Sequence, residues 1–159
     1  MIDPERRRLL SAWLPLLLWT ALVWLLGSDN FSSTQTSRII GPLIDWLLPD
    51  ILPRDRADLL GWLRLTAHPA VYGVEALLAW RALRRSFPDL ALGRLAPLVL
   101  GASVLLASAD EIRQAGSRVR GGSPMGVGLD LLGILAAIAL LIALERIRAA
   151  RALPSPPDP

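Results

Sequence analysis

Apolar residues fall into four blocks along the chain, separated by polar or turn-rich stretches. The first block, Leu9 to Leu26, has eighteen residues and no charge. At ~1.5 Å rise per residue it is just long enough to cross a hydrocarbon core of ~30 Å. The second block, Leu65 to Trp80, is interrupted by His68, Tyr72 and Glu75. The third runs from Leu95 to Ala109 and meets Asp110; the fourth, Val127 to Leu144, carries one charge, Asp130, near its start. A soluble bundle needs polar stripes at helical spacing, and the first and fourth blocks have none. The second and third reach spanning length if Arg81, Arg84 and Arg94 extend their heads toward the lipid headgroups. The pattern predicts an all-α fold, a polytopic membrane helical bundle of four transmembrane helices. One domain covers residues 1–150, and residues 151–159 form a proline-rich disordered tail ending in "LPSPPDP".

The connection between the first two blocks, residues 27 to 64, opens with the polar, turn-rich "GSDNFSSTQTS". "RIIGPLIDWLLPDIL" follows, with apolar residues on one helical face at Ile39, Ile40, Leu43, Ile44, Leu47, Leu48 and Ile51. This predicts a short interfacial helix in the first outer loop, broken by Pro42 and Pro49, with Trp46 at the membrane surface. Residues 38 to 52 are expected to cap the polar site described below from outside.

Composition agrees with the blocks: 53% of residues are hydrophobic, and mean hydropathy is +0.45. The absence of cysteine excludes disulfides, thiolate zinc sites and a cysteine nucleophile. All seventeen basic residues are arginines, scattered along the chain, which is unlike a nucleic-acid footprint. With four spans both termini share one side, which carries ten of the arginines against seven on the other. Arg6, Arg7 and Arg8 flank the first span directly, so both termini are expected in the cytoplasm of a multi-pass protein of the bacterial cytoplasmic membrane. A cleaved signal peptide is disfavoured, because no A-x-A-like site follows the first block.

In this topology the polar residues gather at one depth. His68, Tyr72 and Glu75 fall at i, i+4 and i+7 on one helix face. Asp110, Glu111 and Gln114 close the third span, and Asp130 opens the fourth. All lie near the outer leaflet, with Glu75 somewhat deeper. Ionisable groups in a membrane are costly, and by default they mark a functional site. The candidate polar site is therefore His68, Tyr72, Glu75, Asp110, Glu111, Gln114, Arg120 and Asp130. Arg118 or Arg120 would grip a phosphate or carboxylate. A purely structural role, with the same residues clamping helices together, stands beside this reading. No metal-ligand or nucleotide-binding spacing is present, so no metal and no cofactor are expected. A divalent ion held by His68 with Glu75, Asp110 or Glu111 has no motif behind it.

The residues resemble the VanZ-like family of small bacterial integral membrane proteins. The resemblance rests on "SDNFSS", "HPAVY", "DEIRQ", "RGG" and "DLLG", in that order over roughly residues 10 to 144. It implies a polytopic helical protein of the bacterial inner membrane, in a family whose namesake is associated with resistance to the glycopeptide teicoplanin. The matching positions are His68, Tyr72, Asp110, Glu111, Gln114, Arg120, Asp130 and Gly133. Three positions depart from the pattern. Gly126 stands where an aspartate is common, Glu75 where an aliphatic residue is usual, and Arg113 where an apolar residue or histidine precedes the glutamine.

The preferred reading is a cell-envelope membrane protein that binds a membrane lipid, a lipid-linked envelope precursor or an amphipathic antibiotic in an outward-facing polar pocket. One alternative is a membrane-embedded hydrolase or transferase using His68 with Glu111 or Glu75 as an acid–base pair. The other is a structural or assembly protein whose polar residues lock the helices.

Overall fold

The computed structural model describes residues 3–28, 33–116 and 124–151, apart from the side chains of residues 33–36, 64 and 124. Among them there are five helices and no strand. They are α1 (Pro4–Leu26), α2 (Ser33–Leu47), α3 (Pro53–Ser86), α4 (Leu92–Ala115) and α5 (Pro124–Arg151). By length and composition, α1, α4 and α5 are able to cross a membrane. The fold is thus an all-helical bundle with three apolar helices of membrane-spanning length.

The ends follow local chemistry. Pro53 begins α3 where its missing N–H is no loss, with Asp55 in the first turn facing the positive end of the helix dipole. The prolines at 49 and 88 lie just beyond α2 and α3, where each disfavours helical geometry in the residue before it.

Several sequence expectations need correction. Pro42 does not break the second helix: α2 runs through it, starts within the expected polar turn at Ser33, and stops short of Pro49. The helix of the second block begins earlier than its apolar run: α3 starts at Pro53, sixteen residues before Pro69, which lies inside it. α4 ends at Ala115, so Asp110, Glu111 and Gln114 close it as helical residues, where the sequence places the end of the third span. The expected tail lies outside the described residues, except for Arg151 at the end of α5.

α3 packs against each of the other four helices, and α5 also lies against α4. Hydrogen bonds fix the directions. At one end, His68 of α3 meets Asp130 of α5. At the other, Trp80 and Arg84 of α3 bind Glu145 of α5. These two helices therefore run parallel. α1 runs against α3: Arg81 bonds to Ser11 O and Ala12 O, while Thr20 meets Glu75. α4 is also antiparallel to α3, bringing Asp110 to Tyr72. Pro15 leaves the carbonyl of Ser11, four residues earlier, without its helical donor. Arg81 Nη1 takes up that carbonyl at 2.9 Å.

The buried positions of α4 step along one face as Leu95, Val99, Ser103, Ala107, Asp110, Glu111 and Gln114. The face is apolar in the middle of the bundle and polar toward its end. Tyr72, Ala76, Ala79 and Trp80 of α3 and Ile134, Ala137 and Ile138 of α5 join it in one core. The closest helix approach is between α3 and α5. A Cβ on Gly133 would collide with the backbone of Pro69, and one on Gly73 would lie 3.3 Å from Gly133 O. Small residues at such a crossing let the backbones meet.

Gly133→Ala should force α3 and α5 apart and lower stability by about 1–3 kcal/mol, the usual range for overpacking. Thermal unfolding in detergent, followed by circular dichroism, measures this. Gly128→Ala, at a glycine with open space around its Cβ position, is the control expected to be near neutral.

Candidate functional site

The crossing of α3 and α5 sets the site. His68 precedes Pro69 on α3, and Asp130 lies three residues before Gly133 on α5. Their side chains meet with His68 Nδ1 3.0 Å from Asp130 Oδ1. Asp130 is 1% exposed and is among the most completely enclosed side chains. A carboxylate this deep needs partners. Its Oδ1 has the imidazole, while its Oδ2 has no hydrogen-bond partner among the described residues.

One turn further along α3, Tyr72 donates its hydroxyl to Asp110 Oδ2 at 3.2 Å. Gln114, one turn beyond Asp110 on α4, donates to the same oxygen at 2.9 Å. The other oxygen, Oδ1, accepts from Arg113 Nη2 at 2.5 Å. Arg113 also donates to Trp24 O and places its guanidinium 5.3 Å from the centre of the Trp24 ring. Asp110 is thus a hub joining α1, α3 and α4 through three donors. Gly27 makes room for it, because a Cβ there would strike Arg113 and crowd Asp110.

Glu111, also buried, turns toward α5. A Cβ on Gly126 would collide with its carboxylate, so Glu111 lies against the first turn of α5. That end of a helix dipole favours a negative charge. The glycine at 126 therefore has a physical consequence: a longer side chain would occupy the space that Glu111 fills. His68, Glu111 and Asp130 each bring a ligand-capable atom within 4.8 Å of the other two. Among the described residues, they are the group whose geometry could hold a metal ion.

Of the eight residues marked in the sequence, six converge: His68, Tyr72, Asp110, Glu111, Gln114 and Asp130. Glu75 stands apart from them. It is buried, but its carboxylate accepts from Thr20 of α1 at 3.1 and 3.3 Å. Residues i, i+4 and i+7 share a broad face, yet His68, Tyr72 and Glu75 reach three different neighbouring helices. Arg120, together with Arg118 and the glycines at 121 and 122, lies outside the described residues. The cation present at the site is Arg113, which sequence reasoning set aside as a mere departure from pattern. Its position at i+3 from Asp110 was the available signal.

A cavity of about 400 Å³ adjoins the cluster. Its apolar wall includes Val23 and Leu26 of α1, Ile39 and Ile40 of α2, and Leu63 and Val71 of α3. His68, Tyr72, Asp110 and Gln114 form its polar part. Ile39 and Ile40 of the second helix thus help enclose the cavity.

No family model, curated protein or solved structure matches the chain. What the site does must be argued from its own geometry.

The hub makes a graded prediction for stability. Tyr72→Phe removes one of three donors to Asp110 and should destabilise by about 1 kcal/mol. Asp110→Ala leaves Tyr72, Gln114 and Arg113 without their shared acceptor and should destabilise by roughly 2–3 kcal/mol, less than for a fully enclosed pair because Arg113 can reach solvent. Chemical unfolding of both variants in the same detergent tests the order. Equal losses would contradict the hub.

Proposed function

We propose that this chain is a VanZ-like integral membrane protein of the bacterial cell envelope that holds an amphiphile in an outward-facing cavity. The amphiphile is a membrane lipid, a lipid-linked envelope precursor or an amphipathic antibiotic of the glycopeptide type. The observation carrying this reading is the cavity itself. Its volume of about 400 Å³ falls within the range of small-molecule sites. Its lining is apolar along α1, α2 and α3 and polar at His68, Tyr72, Asp110 and Gln114. A ligand matching such a wall has an apolar body and a polar head. Arg113, 31% exposed at its side chain, is the nearby cation for an anionic head.

In this reading α3 is the fourth span. It lies beside α5, and the polar contacts that tie the two are matched in spacing. His68 to Arg84 and Asp130 to Glu145 each cover roughly 22–24 Å at ~1.5 Å per residue. A helix parallel to a spanning neighbour over that length crosses the same layer. Its charged residues are tolerated because they face partner helices: Glu75 meets Thr20, and Arg84 meets Glu145. α2 lies along the interface, exposing Ile39, Leu43, Trp46 and Leu47 on an apolar face. An ion pair between Asp45 and Arg56 at 2.7 Å ties it to the start of α3. Both termini are cytoplasmic, following the arginines around the first span.

Filling the cavity tests the function. The wild type purified in mild detergent should retain about one amphiphile per chain, a stoichiometry set by a single cavity of this size. Ala67→Trp, which puts an indole into that space, should lose it while helicity is unchanged. Native mass spectrometry reads both. A wild type without bound amphiphile, or a variant that retains it equally, would contradict the proposal. For the orientation, reporter fusions at both ends should be active only in the cytoplasm.

A further inference from the structure

The geometry points to a divalent transition-metal site formed by His68, Glu111 and Asp130. Three helices supply the ligands: α3, α4 and α5. Their candidate donor atoms lie within 4.8 Å of one another. His68 Nδ1 and Asp130 Oδ1 are 3.0 Å apart. That spacing suits two adjacent ligands of one ion bound at ~2.0–2.2 Å. Drawing in the third ligand from within 4.8 Å to the ~3.4 Å separation of tetrahedral ligands at that distance needs a shift of about 1.5 Å or less. Small side-chain rotations can supply it.

A second observation points the same way. Asp130 is 1% exposed, and its Oδ2 has no hydrogen-bond partner among the described residues. A buried carboxylate oxygen without a donor is a costly arrangement, and a cation held by both oxygens of Asp130, or by Oδ2 while Oδ1 keeps the imidazole, would remove the cost. The charge also balances, since two carboxylates with a neutral imidazole neutralise a divalent ion. One nitrogen and two oxygens suit a borderline ion such as Zn²⁺, with a further coordination position left open. Asp110 is not part of the set, because Arg113, Tyr72 and Gln114 already occupy its oxygens. Entry is through the adjoining cavity, which His68 also lines.

The metal site does not depend on the amphiphile proposal, and its test uses Zn²⁺ alone. Full-length protein in detergent, freed of any purification tag and stripped with a chelator, is titrated with Zn²⁺ against a chromophoric competitor. One equivalent should bind per chain. His68 is the only histidine in the chain, so ¹⁵N-histidine labelling reports on this ring alone, and its nitrogen signals should shift as that equivalent is added. Asp130→Asn and Glu111→Gln should each weaken binding at least about tenfold, while Glu75→Gln, outside the cluster, should bind as the wild type does. The proposal fails if no stoichiometric Zn²⁺ binds, if Zn²⁺ binds without moving the ring signals, or if folded Asp130→Asn binds normally. Should a variant not fold, the labelled wild type still decides.

Discussion

The close approach of α3 and α5 is the constraint on which the rest of the structure depends. Gly133 has no side chain, and the backbone of Pro69 fills the space that one would need. Gly73, one turn along α3, extends the contact. With the backbones this near, His68 and Asp130, just beside the crossing, meet across a hydrogen-bond distance. Further along the same pair of helices, Glu145 accepts from Trp80 Nε1 and from Nε and Nη2 of Arg84. The polar groups at either end lock the register, while apolar residues between them fill the core. Interhelical hydrogen bonds can act this way inside a membrane, where apolar packing alone distinguishes little between helix and lipid.

Among the described residues, the four buried carboxylates of the bundle each meet different groups. Glu75 has the Thr20 hydroxyl of α1. Asp110 has a guanidinium, a phenol and an amide. Asp130 has the imidazole, and Glu111 rests against the first turn of α5. The division matters because it separates structural from chemical roles. Asp110 is saturated by donors and acts as a joint between helices. His68, Glu111 and Asp130 keep ligand-capable atoms within 4.8 Å of one another at the α3–α5 crossing.

Much of this was legible in the sequence. The apolar blocks gave the helical class, and the depth of His68, Tyr72, Asp110, Glu111, Gln114 and Asp130 along them gave most of the cluster. Helical periodicity carries both kinds of information. The element boundaries were less legible. Asp110 and Glu111 lie near the end of α4, as the charges after an apolar run suggest, but on its buried face. Pro42 looked like a break, yet α2 passes through it. Which neighbour each side chain reaches was beyond sequence reasoning. Glu75 shares a helix face with His68 but turns to α1, and Arg113, legible only as a neighbour of Asp110 at i+3, also reaches Trp24 of α1. Rotation of one helix against another decides such contacts, and the spacing within one helix does not encode it.

The contact between His68 and Asp130 is the most direct point at which to test the arrangement. With a single histidine in the chain, ¹⁵N-histidine and ¹³C-carboxyl-aspartate labels can be combined in protein reconstituted into lipid bilayers. Solid-state NMR then measures the dipolar coupling between the ring nitrogens and the aspartate carboxyl carbons. If the α3–α5 crossing builds the site, a strong short-range coupling appears in the wild type and vanishes in Asp130→Ala. A wild type with no such coupling, or a coupling that survives in folded Asp130→Ala, would contradict it.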